Sequence, residues 1–324
     1  MPYGRHDQSG RGLQQTEGGR THDASGLDVL AFALGERRAG REICIATLSA
    51  IHGSSPRRLG TQMAIAADGR YAGSISSGCL ERAIVDEARE RLRTGNGCIV
   101  RYGEGSKYLD IVLPCGSGVD ILYSVHIQPD ALERSLSAAE RRECFALELM
   151  ESGAECCSSE AKEGWNGKSQ VRKYQPALQI TVAGIGVELI LFTRLATIAG
   201  YRICALSPDA ETLEHCSGQT AMLSSSNQLP ELILDPWTAF VSLFHDREWE
   251  LALLKKVIES DAFYVGAVGS MKTSEARLAA LREQGVDDGC LAKLRGPIGL
   301  IPATRNPSAL TVSVLAEVVA AWKQ

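Results

Sequence analysis

From residue 174 to the C-terminus the chain keeps repeating one unit: a short apolar run, a glycine or small polar turn, then a helical stretch. "ALQITVAG" leads into a helix over about 186–199, and "YRICALS" and "QTAML" follow as strands. "TAFVSLF" leads into a helix through Lys255 and Ile258, and "AFYVGAVGS" into one over about 272–284. Strand–helix alternation of this kind specifies a parallel sheet with helices on both faces. The last helix is signposted by Asn306 as a cap and Pro307 at the first helical position. Leu310, Val314, Val318 and Trp322 then form its apolar stripe.

The first half has a different pattern. Residues 1–24 are polar and rich in Gly, Gln, Arg and His, so a disordered tail is expected there. A first domain over 25–151 mixes strands and helices. "EICIATLSAI" (42–51) reads as a strand, and "TQMAIAADGRYAGSIS" (61–76) as a hairpin turning at Asp68-Gly69. A helix carries Leu80, Ile84, Ala88 and Leu92 on one face. "CIVRYG" and "DIVLPCGSGVDILYSVH" read as further strands, and 137–151 as helical. Residues 152–173 are small, polar and charged and read as a linker, and 174–324 form the second domain. The expected class is α/β, an N-terminal α+β domain followed by a parallel-sheet domain.

A length of 324 residues fits two such domains. The net charge of -5 argues against nucleic acid as a partner, because no basic stripe neutralises phosphates. The longest apolar region, near 178–206, is broken by Glu188, Arg194 and Arg202, so no membrane span is expected. The N-terminus has no apolar leader, and a cytoplasmic location is expected. Ten cysteines occur without a C-x-x-C pair, so they read as thiols rather than as a zinc site or a disulfide frame.

Several short segments can carry chemistry. Gly184-Ile185-Gly186 follows a strand and opens a helix, where a phosphate can approach the helix N-terminus. The third glycine of a dinucleotide loop is replaced by Leu189, and the expected ribose-binding acid by Ser207, with Asp209 two residues on. This is either a dinucleotide site or a Rossmann-like fold that keeps only the turn. Gly266, Gly269 and Ser270 form a second strand-to-helix loop, an anion cradle or tight backbone packing. "RGPIGL" (295–300) reads as a turn over the same edge. His245-Asp246 ends a strand there and is a candidate for polar contact or proton transfer. In the first domain, Ser76, Ser77 and Gly78 give the backbone room around an anion, and Cys79 stands at a helix start. Unsatisfied N–H groups and the helix dipole favour a thiolate there, the form that binds soft metals. The alternative is an inert buried cysteine. Cys115, in "PCGSG", is a second thiol beside a glycine loop.

With these residues gathered, the chain resembles the XdhC/CoxI family. The likeness rests on "GSSPRRLGTQMAIAADGRYAGSISSGCLE" and "LPCGSGVDILY" in the first domain. In the second it rests on "YQPALQITVAGIG", "FHDREWE", "YVGAVGSMKTSEARLAAL" and "LRGPIGLIPATRNPSALTVSVLAEVVAAW". The sequence departs from the family pattern at Ser77, Ser117, Val187 and Ser207. The resemblance implies an accessory factor rather than a turnover enzyme. Such a factor binds the molybdenum cofactor transiently, assists its sulfuration by a cysteine desulfurase, and delivers it to a xanthine-dehydrogenase-type hydroxylase. It also suggests a homodimer. The cofactor-binding set is then Ser76, Ser77, Gly78, Cys79, Cys115, Gly184, Gly186, His245, Asp246, Gly266, Gly269 and Ser270, with Cys79 the metal ligand and NAD(P) not expected. Two rivals remain: an NAD(P)-dependent oxidoreductase using the 184–189 loop, and an interaction protein without a small ligand.

Overall fold

The computed structural model describes residues 20–21, 26–53, 55, 57–76, 78, 80–106, 118–226, 229–244 and 247–322. The expected tail, except Arg20 and Thr21, lies outside them. The chain forms two units, divided between Pro176 and Ala177.

In the first unit the elements run β1 (Arg20–Thr21), α1 (Gly26–Arg38), β2 (Ile43–His52), β3 (Gln62–Ala66), β4 (Tyr71–Gly73), α2 (Glu81–Thr94), β5 (Cys98–Gly103) and β6 (Gly118–Ser124). Then come α3 (Pro129–Glu140), β7 (Phe145–Met150), β8 (Gly153–Cys157), β9 (Gly164–Trp165) and β10 (Gln170–Tyr174). A six-stranded sheet has the order β1-β4-β3-β2-β6-β5, and a four-stranded sheet the order β8-β7-β10-β9. Successive side chains of a strand point to opposite faces, and the first sheet uses both. Cys44, Ala46, Met63, Ile65, Ile121 and Tyr123 pack on one face with Leu80, Ile84 and Ala88 of the α2 region. Ile43, Ile45, Ala64 and Leu122 pack on the other with Leu30 and Ala33 of α1, Leu132 of α3, and Leu147 and Leu149 of the smaller sheet.

Two expectations give way here. The helix expected over 137–151 stops at Glu140, and β7 follows. Arg142 takes a positive φ of 58°, which ends the helix. Beyond it Phe145, Leu147 and Leu149 enter the core at period two. Residues 152–173, expected as a linker, hold β8, β9 and most of β10. Most of the polar residues that suggested a linker lie in turns or at outward positions, while Ser169 and Gln170 are buried at the start of β10. β8 buries Ala154 and exposes Glu155, and the Asn166 carboxamide closes the turn into β10 on the amides of Lys168 and Ser169.

The second unit follows the sequence closely. Its elements are β11 (Gln179–Ala183), α4 (Val187–Ile198), β12 (Arg202–Ser207), α5 (Ala210–His215), β13 (Gln219–Met222), β14 (Thr238–Ser242) and α6 (Arg247–Ile258). They continue with β15 (Tyr264–Ala267), α7 (Met271–Glu283), α8 (Asp288–Leu291), β16 (Leu294–Arg295) and α9 (Pro307–Ala321). All six strands are parallel, in the order β13-β12-β11-β14-β15-β16. This is the doubly wound order of a Rossmann-like sheet, with its switch point between β11 and β14. Leu189 and Phe192 of α4 and Val314 and Val318 of α9 cover one face. Leu253, Leu254 and Val257 of α6 and Leu281 of α7 cover the other. Asn306 caps α9 by accepting the Ala309 amide at 3.1 Å, with Pro307 in its first turn.

Candidate functional site

The strand directions of the six-stranded sheet in the first unit gather its sequence motifs. β2 is antiparallel to β3 with Thr47 opposite Gln62, and Gly73 lies opposite Met63. Gly118 of β6 lies opposite both His52 and Gly103. The ends of β2, β4 and β5 and the starts of β3 and β6 therefore share one edge. The 53–61, 74–80 and 104–117 segments all leave from it. Cys79, Ser77 and Cys115 belong to these segments but lie outside the described residues.

The segment before α2 is organised by Glu81, a residue not singled out from the sequence. Its buried carboxylate turns back onto Ser74–Gly78. One oxygen accepts the Ser74 hydroxyl at 2.7 Å and the Ile75 and Ser76 amides at 3.2 and 2.9 Å. The other accepts the Ser76 hydroxyl at 2.5 Å and the Gly78 amide at 2.7 Å. The Ser76 hydroxyl also accepts the Leu80 amide at 2.6 Å. Burial alone would raise the Glu81 pKa, but the hydrogen bonds from Ser76 and Ser74 outweigh it and bring the group from 4.5 to about 2. The backbone N–H groups expected to wrap an external anion are thus directed at the chain's own carboxylate. Gly78 has φ 115°, in the left-handed region that favours glycine.

On the same edge, three strand ends bring together His52, Arg101 and Asp120. Arg101 donates through Nε and Nη2 to the two Asp120 oxygens at 2.7 and 2.9 Å. His52 Nε2 lies 3.1 Å from Asp120 and 2.8 Å from Arg101 Nη2. A single ring nitrogen cannot donate to Asp120 and accept from Arg101 at once, so the tautomer selects the partner. The Arg101 guanidinium, opposed by burial, lowers the Asp120 pKa. These residues come from segments far apart in sequence, and only the sheet register reveals the cluster.

The second candidate edge is the carboxyl edge of the parallel sheet. Ala183 lies opposite Ser242, and Ser242 opposite Ala267, so the loops after β11, β14 and β15 are neighbours. Gly184 packs tightly: an added Cβ would come within 3.1 Å of Leu243 Cβ. Gly186 is the permissive position, with φ 82° and ψ −152°, and a Cβ there would meet nothing within 4 Å. The Gly186 amide donates to Thr212 Oγ1 at 3.0 Å. Asp209 caps α5 and accepts both the Thr212 amide and its hydroxyl, so its carboxylate is committed locally. Gly266 lies inside β15, where a Cβ would come within 2.7 Å of the Tyr264 ring and 2.8 Å of Ile298. That fits the packing reading. Gly269 has φ 146°, and Ser270 caps α7 by accepting the Thr273 amide at 3.1 Å. Beneath this edge Glu250 and Arg277 form a buried bidentate pair at 2.8 and 3.0 Å. Glu250 accepts the Ser242 hydroxyl and Arg277 donates to the Val268 carbonyl, so the pair joins two strand ends. The "RGPIGL" turn is held by α9, whose Glu317 accepts the Gly299 amide and the Tyr264 hydroxyl. His245 and Asp246 lie outside the described residues.

Among the described residues no His, Cys, Asp or Glu group of three or more is placed to hold a metal ion, and no helix is long and apolar enough to cross a membrane.

Comparison with known proteins places these features. The model of the XdhC and CoxI family matches residues 36–103, and that of the XdhC Rossmann domain matches 180–318. The chain is 33% identical over 294 residues to the molybdenum cofactor insertion chaperone PaoD of Escherichia coli strain K12, covering 90% of this chain and 86% of that protein. It is 25% identical over 273 residues to YqeB of the same organism, covering 82% of this chain and 41% of YqeB. Among solved structures, a xanthine dehydrogenase from Bacillus halodurans superposes with a TM-score of 0.72 at 18% identity. The alignment covers 92% of this chain and 96% of that one, and it supports the fold.

Proposed function

Because the chain belongs to the XdhC and CoxI family, we propose that it is a molybdenum cofactor insertion chaperone. The observation that carries this reading is the 33% identity to such a chaperone across 90% of the chain. The cargo is an anionic, phosphorylated pterin bearing sulfur and molybdenum. It calls for a soft donor and for N–H groups facing a phosphate. In this reading Cys79 supplies the soft donor, next in sequence to a loop shaped by Glu81, and Cys115 is a second thiol in the segment between β5 and β6. The open Gly186 position at the start of α4 is the alternative place for the cargo's phosphate. We further assign a sulfuration step assisted by a cysteine desulfurase, delivery to a xanthine-dehydrogenase-type hydroxylase, a homodimeric state and a cytoplasmic location.

The test is molybdenum per folded protein after co-production with the cofactor pathway. Cys79→Ser is expected to cut retained molybdenum by about tenfold, since a hydroxyl is a hard, protonated donor, while the thermal melt stays close to wild type. Unchanged loading in Cys79→Ser moves the cargo site to the Gly186 edge. Saturable nicotinamide binding with hydride transfer would instead favour an oxidoreductase.

A further inference from the structure

We propose that Arg172 is an oxyanion-binding residue at the edge where the motifs leave the six-stranded sheet of the first unit. It takes a phosphate group, free or esterified, on the open Nε and Nη2 side of its guanidinium.

The guanidinium is built into place. β10 pairs with β7 in the smaller sheet, and Arg172 reaches from there to the first residue of β3. Its Nη1 donates to Gln62 Oε1 at 2.8 Å. The buried Tyr174 hydroxyl donates to the same oxygen, and the Gln62 carboxamide nitrogen donates to Thr47 Oγ1 at 3.4 Å. The guanidinium carbon lies 4.6 Å from the Tyr174 ring centroid, a cation–π distance. The aliphatic stem runs along Gly60, where an added Cβ would lie 3.6 Å from the Arg172 Cγ and Cδ. Gly60 and Gln62 stand where the 53–61 segment joins β3, so the charge is held on the edge that this segment leaves.

The charge lacks an acid. Gln62 is neutral, and among the described residues neither Nε nor Nη2 of Arg172 has an acceptor. Elsewhere in the chain this pair of N–H groups is filled. Arg38, Arg93, Arg101 and Arg277 present Nε and Nη2 to the carboxylates of Glu133, Glu90, Asp120 and Glu250. That planar fork matches two oxygens of a carboxylate or a phosphate. At Arg172, Nη2 lies instead against Gly26, the first residue of α1, where an added Cβ would come within 2.4 Å of it. The start of a helix is the positive end of its dipole and disfavours a cation. Asp28, in the same turn, is exposed and is not paired with Arg172. A half-buried cation beside a second source of positive potential is costly without an anion. A phosphate dianion fits the fork and supplies twice the charge of a carboxylate.

The experiment uses the full chain and inorganic phosphate, titrated by calorimetry at constant ionic strength with chloride as the balancing ion. Arg172→Lys keeps the charge and loses the fork, and Arg172→Met removes both. Phosphate affinity is expected to fall at least about tenfold in each. Arg93→Lys, at an arginine already held by Glu90, is expected to leave it unchanged. Gly26→Ala keeps every charged group and forces Nη2 to move. It serves if the Arg172 variants do not fold, and is expected to weaken phosphate severalfold. Phenyl phosphate is the second arm: tighter binding than inorganic phosphate marks an esterified ligand and weaker binding the free ion, and either supports the site. The proposal is overturned by wild-type protein that shows no saturable phosphate binding, or by equal affinity in wild type and both Arg172 variants. Unchanged affinity in Gly26→Ala, where that is the variant read, overturns it too. Arg172 is then a strut between β10 and β3, and its loss lowers the melting temperature alone. Neither the cargo nor Cys79 enters these titrations, so this site and the molybdenum loading of Cys79→Ser can fail separately.

Discussion

Glu81 ties folding to acidity. Its folded pKa, about 2, lies below the ordinary 4.5. A depressed carboxylate contributes stability that is present above the unfolded value and lost as pH falls through the folded one. Between about pH 4.5 and pH 2 the chain should lose up to roughly 3 kcal/mol from this group alone. Urea midpoints across that window should fall more steeply for wild type than for Glu81→Gln. At the other unit's edge, Arg277→Ala leaves the Glu250 carboxylate buried without its cation, at an expected cost of about 3–5 kcal/mol. The paired change Glu250→Gln with Arg277→Met should cost clearly less, read from the same urea curves. Neither Glu81 nor Glu250 can be found from sequence. A glutamate in a first helical turn reads as an ordinary dipole-favoured residue, and nothing in its spacing says that its carboxylate folds back onto a loop or under a strand end.

Elements were legible where local signals and burial agree. The β–α alternation after residue 174 makes the parallel sheet legible, because the runs "ALQITVAG", "TAFVSLF" and "AFYVGAVGS" each lead into a helix signal. Asn306 and Pro307 mark the start of α9 to the residue. Asn306→Ala should lower stability by about 1 kcal/mol, and Asn306→Asp by little, as seen in thermal melts. The Gly186 backbone lies in a region open essentially to glycine, so Gly186→Ala should cost about 1–3 kcal/mol from strain without any clash. The misread elements lie between 137 and 173. There the apolar residues Phe145, Leu147 and Leu149 recur at period two directly after α3, so no turn residue separates them from the helical pattern. The hairpin turns are rich in Gly, Ser and Glu and their strands are short, so their composition matches that of a linker.

At the scale of the whole molecule, each unit places its motifs on one edge of one sheet, and the cores behind those edges are made of unrelated residues. Thiol chemistry should show this division. Burial pushes the Cys44 and Cys204 thiols up. Native alkylation followed by peptide mapping should leave Cys44 unmodified until denaturant is added. The antiparallel course of β3 and β4 also gives the first sheet an opposite edge. There the Ala67–Arg70 turn reverses the chain, with Asp68 receiving the Arg70 amide and Gly69 at φ 90°. That turn faces away from the segments that leave beside His52 and Gly73. It is therefore the natural anchoring point for a dye, a bead or a sensor surface. A chain tethered there is held at the end of the sheet opposite the strand ends at His52, Gly73 and Gly103.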